Sequence, residues 1–131
     1  AANIVFQPLV GELFRSQLVM QAAPRNGDFV TPTIVGAEEF DFSERDLRYT
    51  TAIFDLLAND REFAEHNNRT MNGWLANWVG LTIPAARALQ PLWSQPDSKP
   101  MRFEDALDRV KSRFGGIVED LGLELPKELD R

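Results

Sequence analysis

The chain of 131 residues contains no cysteine and one histidine, His66. The absence of thiols excludes disulfide bonds, thiolate metal sites and cysteine catalysis. One imidazole is too few for the paired histidines of a di-iron bundle, and a zinc site would depend almost entirely on carboxylates. A serine nucleophile would have only His66 as its base. We therefore predict no metal site, no cofactor and no catalytic residue, and we interpret His66 as a surface side chain.

Positive charge is scarce as well, since 14 lysines and arginines stand against 20 aspartates and glutamates and give a net charge of −6. Nucleic-acid binding depends on basic side chains that neutralise phosphates, so the composition disfavours a nucleic-acid partner. No apolar run approaches the roughly 18 residues that a membrane helix needs, and no basic segment followed by an apolar one opens the chain. These absences predict a soluble, cytoplasmic protein.

Apolar residues at helical spacing occur along most of the chain, whose length fits a single helical domain over residues 1–131. We predict a mainly α fold, an irregular bundle of four to five helices. A first helix is predicted over residues 8–21. The residues at helical spacing in this first segment are Phe6, Leu9, Val10, Leu13, Phe14 and Gln17. The last helix ends at Gly122 and has the most regular stripe, formed by Phe103, Leu107, Val110, Phe114, Ile117 and Leu121.

Three further helices are predicted between these two. The first covers residues 44–58, and the second covers residues 61–79 and ends at Gly80, a residue suited to the left-handed position after a helix. Thr82 is predicted to cap the third, with Pro84 in its first turn. Pro91 is expected to bend or end that helix.

Residues 23–42 interrupt the helical pattern. Pro24, the Asn26-Gly27 pair, Pro32 and Gly36 punctuate this segment, and apolar residues typical of strands lie between them. We predict an extended or β-hairpin-like arm here. An apolar arm of this length is unusual in a small domain, which suggests that it packs on another surface.

Acidic residues are missing from one continuous segment, residues 66–96, although the chain holds 20 of them. The segment contains all three tryptophans, four asparagines and two arginines. One interpretation is a buried pair of helices, from which charge is excluded because burying it is costly. The other is a contact surface, because interfaces are rich in Trp, Met and Arg and poor in acids, and because buried asparagines need partners. The candidate partner- or ligand-binding residues are Arg69, Met71, Trp74, Trp78, Arg87 and Trp93.

The leading function hypothesis is a non-enzymatic helical interaction protein, either a homo-oligomer or an accessory subunit of a larger complex, with segment 66–96 as its contact surface. The alternative is a helical domain that binds a small anionic ligand, with or without enzymatic activity, in which Arg69 and Arg87 hold a carboxylate or phosphate over Trp faces. A helix-turn-helix DNA-binding protein ranks third, because the acidic balance and Pro91 oppose it. We expect no enzymatic activity, and a protein partner or self-association.

The run over residues 54–92 resembles in outline the helical hairpin of the small α subunits of extradiol ring-cleaving dioxygenases. Gly80, Leu81 and Thr82 match the turn of that hairpin, and Ala88-Leu89 match its second helix. The resemblance implies a helical, non-catalytic subunit. The chain departs from the pattern after Thr82, where Ile83 and Pro84 replace acidic residues, and we assign no family on this basis.

Overall fold

The structure is a computed structural model that describes residues 1–38, 44–97 and 101–129. Its described residues are mostly helical and form no strand, which confirms the mainly α prediction. A π-helix, Ala2–Val19, is followed by α1 (Met20–Arg25), α2 (Val30–Glu38), α3 (Glu44–Ala58), α4 (Ala64–Ala88) and α5 (Phe103–Asp120), with short 3-10 turns at Gln90–Ser94 and Lys127–Leu129. Within these ranges no helix is both long enough and apolar enough to cross a membrane.

The core lies where the π-helix, α4 and α5 meet. Leu13 of the π-helix, Val79 of α4 and Phe114 of α5 are almost completely buried in it. α3 packs against α4 and the π-helix, while α1 and α2 extend from the end of the π-helix.

Helix α5 follows the predicted stripe closely. Phe103, Leu107, Val110 and Phe114 are buried, and the helix ends as predicted at Gly122, whose φ of 67° is left-handed. Two hydrogen bonds close this end: Leu123 N–H donates to the Val118 carbonyl at 3.1 Å, and Gly122 N–H donates to the Glu119 carbonyl at 2.9 Å. This pairing satisfies carbonyls that a helix end otherwise leaves open.

The winding of the first helix differs from the prediction. A π-helix bonds residue i to i+5 and has about 4.4 residues per turn, so its buried side repeats every four to five residues rather than every three to four. The residues buried on this side are Ile4, Val5, Leu9, Leu13, Gln17 and Leu18. Phe6, which an α-helical spacing places in the core, is 50% exposed. The prediction assumed the commoner α-helical period.

The extended or hairpin arm was a wrong prediction, because residues 30–38 form helix α2. Gly27, with a φ of 85°, ends α1. The Asp28 carboxylate then accepts hydrogen bonds from the N–H groups of Val30 and Thr31, both at 3.0 Å, and so satisfies the free donors of a new helix. Pro32 falls in the first turn, where a missing N–H costs nothing. The last part of the predicted arm, residues 39–42, lies outside the described residues.

Helix α4 is also longer than predicted, because it continues through both Gly80 and Pro84. Among the described glycines only Gly27 and Gly122 have a positive φ, so Gly80 does not end a helix. A Cβ at Gly80 would lie 3.3 Å from Oε1 of Glu128. The end of the Glu128 side chain lies over this position, and the predicted break into two helices was wrong. The chain leaves the helix at Ala88, shortly before Pro91.

Candidate contact surface

The acid-free segment falls mainly on helix α4. The inner side of α4 is buried along its length, through Met71, Leu75, Val79, Ile83 and Ala86. On this side, the absence of charge follows from burial, since an unpaired charge in a core is costly. Met71, one of the predicted contact residues, is therefore a core residue.

Trp93 is a second predicted contact residue that belongs to the core. Its ring is 6% exposed, and its indole N–H donates to the Met101 carbonyl at 2.7 Å. The ring lies edge-on to Phe14 and Phe103, with centroid distances of 6.1 and 5.5 Å. Aromatic pairs favour this geometry, so Trp93 packs the turn after α4 against the π-helix and against the start of α5.

Trp74 and Trp78 form a row with Phe54 of α3. The ring centroids of Phe54 and Trp74 are 6.0 Å apart, and those of Trp74 and Trp78 are 6.5 Å apart. Trp74 is half-buried against the core, whereas Trp78 is 37% exposed. The row therefore runs from the α3–α4 contact to the surface of the molecule.

The asparagines of the segment join α4 to other parts of the chain. Asn67 Nδ2 donates to the Leu57 carbonyl at 2.9 Å, and Asn68 Nδ2 donates to the Ala58 carbonyl at 3.4 Å. Both carbonyls belong to the last turn of α3, where the helix supplies no N–H donors for its own carbonyls. Asn72 Oδ1 accepts a hydrogen bond from Glu124 N–H at 3.0 Å. These contacts hold the fold together, and they explain three of the amides that favoured a contact surface in the sequence.

The two arginines do not form one anion site. Arg69 pairs with Glu65 at 2.9 Å on the surface, and Arg87 binds both carboxylate oxygens of Glu104, at 2.7 and 2.9 Å. They are 18 residues apart on one helix, which separates them by about 27 Å at 1.5 Å per residue. The predicted pocket, in which both hold one anion, was therefore wrong.

A second apolar side of α4 is exposed in its C-terminal half. Trp78, Leu81, Ala85 and Ala88 share this side, and Leu89 and Leu92 continue it beyond the helix. Leu81 is 57% exposed. We name these six residues the α4 stripe. Only Trp78 among them was predicted as a contact residue. The predicted break at Gly80 hid the spacing of 3, 4 and 3 residues that joins Trp78, Leu81, Ala85 and Ala88 on one helix.

Continuity of α4 also contradicts the DNA-binding hypothesis. A helix-turn-helix needs a short turn between two helices, and residues 81–88 lie within α4 itself. Among the described residues, His, Cys, Asp and Glu form no group of three or more that could hold a metal ion.

Comparison with known proteins gives a consistent set of relatives. Residues 1–61 match the family model described as Methane/Phenol/Alkene Hydroxylase. The chain is 53% identical over 130 residues to the propane 2-monooxygenase hydroxylase component small subunit of Rhodococcus jostii (strain RHA1), which covers 99% of the chain and 35% of that protein. The same subunit of Mycolicibacterium goodii is 49% identical over 131 residues, again 35% of its length.

A more distant relative is the methane monooxygenase component A beta chain of Methylococcus capsulatus (strain ATCC 33009 / NCIMB 11132 / Bath), 26% identical over 131 residues and 34% of its length. The chain thus spans about a third of the length of the curated relatives that it matches. No solved structure matches it.

These relatives overturn the leading function hypothesis. Proteins that are 44–53% identical to nearly the whole chain are named as hydroxylase subunits of a monooxygenase, so the interpretation as a non-enzymatic protein, with no enzymatic activity expected, was wrong. The comparisons also match a different family from the dioxygenase subunits that residues 54–92 resemble in outline. The coarser expectation, a helical protein with a protein partner or self-association, agrees with relatives that are subunits of hydroxylase complexes.

Proposed function

We propose that the chain is part of the small subunit of a monooxygenase hydroxylase component that oxidises a small alkane such as propane. The observation that carries this proposal is the identity of 44–53% to four such subunits over at least 99% of the chain. The role we assign to the chain within that enzyme is to hold the small subunit against another hydroxylase subunit.

The α4 stripe is the surface that we assign to this contact. It is apolar, it lies in a segment without acids, and Trp78 stands at one end of it. Interface cores are depleted in charged residues and enriched in aromatic ones, and tryptophan often contributes most to binding energy. From Trp78 to Ala88 the stripe extends over about 15 Å of helix rise, and Leu89 and Leu92 follow it.

Oxygen insertion into an alkane needs a redox centre that activates O2. The described residues offer no cluster of donors for a metal ion, so we derive no chemical step from this part of the chain. The role of this part of the chain is structural. The buried side of α4 packs on the core, and this packing leaves the α4 stripe exposed to a partner.

Activity of the assembled enzyme tests the proposal. The native polypeptide that carries this sequence would be produced with the other components of the hydroxylase, and propane oxidation would be measured for wild type and for Leu81→Glu. We expect the substitution to lower both the recovery of the complex and the activity at least tenfold, because a charge would be buried in the contact.

A matched control is Leu125→Glu, since Leu125 is 42% exposed and its side chain lies beside Gly115 of α5. This variant should keep wild-type activity. If the wild type supports no oxidation of propane or other small alkanes, the proposed enzyme is wrong. If Leu81→Glu assembles and works as well as Leu125→Glu, the assignment of the α4 stripe is wrong.

A further inference from the structure

The chain contains two Asn-Gly pairs, Asn26-Gly27 and Asn72-Gly73. Asparagine before glycine is chemically labile, because a residue without a side chain lets its backbone nitrogen approach the preceding side-chain amide closely. A Cβ built at Gly27 or at Gly73 would meet no atom of a more distant part of the chain within 4 Å. Neither pair is therefore shielded by side chains packed over the glycine, and the two pairs differ in the backbone that holds them.

The reaction of such a pair is deamidation. The glycine nitrogen gives up its proton and attacks the asparagine Cγ, the Cγ–Nδ2 bond breaks, and ammonia leaves. Water then opens the five-membered imide at one of its two carbonyls. The product is aspartate or isoaspartate, in which the main chain runs through the side-chain carboxyl carbon. Water is the only co-reactant, so the rate depends on how readily the glycine nitrogen reaches Cγ.

The pair Asn26-Gly27 lies at the exposed corner between α1 and α2. Asn26 has a ψ of 14°, which places the Gly27 nitrogen beside the backbone nitrogen of Asn26 and away from its side chain. Asn26 Nδ2 donates to the Ala22 carbonyl at 2.7 Å, and Gly27 N–H donates to the Pro24 carbonyl at 3.2 Å. The reaction therefore requires the corner to open, through rotation about ψ of Asn26 and loss of these hydrogen bonds.

Opening of this corner exposes little of the core. Helix α2 packs mainly on α1, and none of residues 30–37 is buried. Proteins open locally with the lowest free energy where few apolar contacts are lost. Rotation at Asn26 can therefore displace α2 while the core between the π-helix, α4 and α5 stays closed.

The second pair, Asn72-Gly73, is held in the interior of α4, between Met71 and Leu75, which are both buried. Rotation at Asn72 would interrupt this helix of 25 residues at a point where it packs on the core. Asn72 Oδ1 also accepts the N–H of Glu124 at 3.0 Å. The same dipeptide is thus placed in a region that opens only together with the core.

We propose that Asn26 is a site of spontaneous deamidation in the folded protein, and that this modification loosens the corner between α1 and α2. Asn26 Nδ2 is the donor to the Ala22 carbonyl, and an ionised carboxylate product donates no hydrogen bond. The new negative charge lies at the C-terminal end of α1, where the helix dipole disfavours it, and two residues before Asp28. The proposal is independent of the proposed enzyme, because the reaction needs only this chain and water.

Peptide mapping by mass spectrometry tests the site in the native polypeptide that carries this sequence. The folded protein would be incubated at physiological temperature and mildly alkaline pH, and then digested with trypsin. Cleavage after Arg25 and Arg45 gives a peptide in which Asn26 is the only side-chain amide, so a mass gain that replaces NH by O identifies its deamidation. We expect Asn26 to react at least tenfold faster than Asn72, the matched control.

In urea, where both corners of the comparison are unfolded, the rates at Asn26 and Asn72 should agree within about a factor of two, because only the fold distinguishes the two pairs. Equal rates at the two sites in the folded protein would overturn the proposed site. So would an Asn26 that does not react in the folded protein although it reacts in urea.

Asn26→Asp, which carries the aspartate product, tests the effect on the corner. Amide exchange of α2 should be at least threefold faster in this variant than in the wild type. Asn59→Asp is the control, because it removes a side-chain donor of the same kind, to the Asp55 carbonyl at 2.9 Å, from the end of α3. This control should leave the exchange of α2 unchanged. If α2 exchanges in Asn26→Asp as it does in the wild type, the proposed loosening is wrong.

Discussion

At the scale of single residues, burial assigns different roles to tryptophans that look alike in the sequence. Trp93 is a core residue with a hydrogen-bonded indole, whereas Trp78 is more than one-third exposed and makes its described ring contact with Trp74. The sequence placed both in one segment without acids but carried no sign of which one lies inside. Burial depends on the turn at Gln90–Ser94, which folds Trp93 back onto α5.

Trp93→Phe tests the role of the buried indole. The smaller ring keeps part of the packing but leaves the Met101 carbonyl without its donor and opens a space beside Phe14 and Phe103. We expect the free energy of unfolding to fall by about 1–3 kcal/mol. Urea denaturation measures the change, and Trp78→Phe is the control, with an expected change below about 0.5 kcal/mol because its site is partly exposed.

Asp28 gives a prediction for the dependence on pH. Hydrogen bonds from the side chain and the backbone N–H of Thr31, and from the N–H of Val30, lower the pKa of its carboxyl below the ordinary aspartate value. The pKa of this carboxyl is lower in the folded state than in the unfolded state. Ionised Asp28 therefore stabilises the start of α2 at pH values above the ordinary aspartate pKa. This contribution is lost as the pH falls through the folded-state pKa.

The NMR shifts of the Val30 and Thr31 amides should therefore titrate with a midpoint below that of an unstructured aspartate. In Asp28→Asn the same amides should show no such titration. A midpoint at or above the ordinary aspartate value would contradict the hydrogen bonds that we assign to the helix start.

At the scale of elements, π-helical and α-helical winding predict different burial for two neighbouring residues, Val5 and Phe6. Val5 is almost completely buried and Phe6 is half-exposed in the π-winding, whereas an α-helical spacing puts Phe6 in the core. Val5→Ala should lower the free energy of unfolding by about 1–2 kcal/mol, and Phe6→Ala should change it by less than about 1 kcal/mol. Chemical denaturation of the two variants checks this, and a larger loss in Phe6→Ala than in Val5→Ala would contradict the π-winding.

Pro84 tests the continuity of α4. Inside a helix, proline lacks the N–H that would donate to the carbonyl four residues earlier, here that of Gly80, and its ring crowds that carbonyl. Pro84→Ala should therefore stabilise the protein by about 1 kcal/mol or more and raise the melting temperature by several degrees. Calorimetry measures the change in melting temperature. A neutral or destabilising effect would favour a helix that starts near Thr82, where proline is well tolerated.

The elements differ in how far the sequence determines them. The stripe and the end of α5 were predicted correctly, because regular spacing and Gly122 act locally. Gly80 was misread as a helix end because glycine ends a helix only where its φ turns positive, and α4 continues through Gly80. α2 was missed because the cap at Asp28 outweighs the strand-forming tendency of Phe29 and Val30.

Prediction of the candidate contact surface from the sequence was limited in the same way. Segment 66–96 was recognised from its composition, yet Met71 and Trp93 proved to be core residues, and Arg69 and Arg87 lie in separate ion pairs. The exposed residues Leu81, Leu89 and Leu92 were missed, since leucine in a helix reads as core unless the helix's length and neighbours are known.

At the scale of the whole molecule, the described residues leave apolar side chains exposed on α2, α3 and α4. The α4 stripe is the proposed contact within the hydroxylase. Apolar side chains that cluster on an exposed side of a helix are candidates for an interaction site.

The central claim, that the α4 stripe joins this chain to another hydroxylase subunit, is tested most directly by hydrogen exchange. Amide exchange would be measured for the native polypeptide alone and in the purified hydroxylase complex. The account predicts slower exchange in the complex at residues 78–92, and little change in the C-terminal segment around Leu125. A complex that forms with no protection of residues 78–92, or a failure to form any complex, would contradict it.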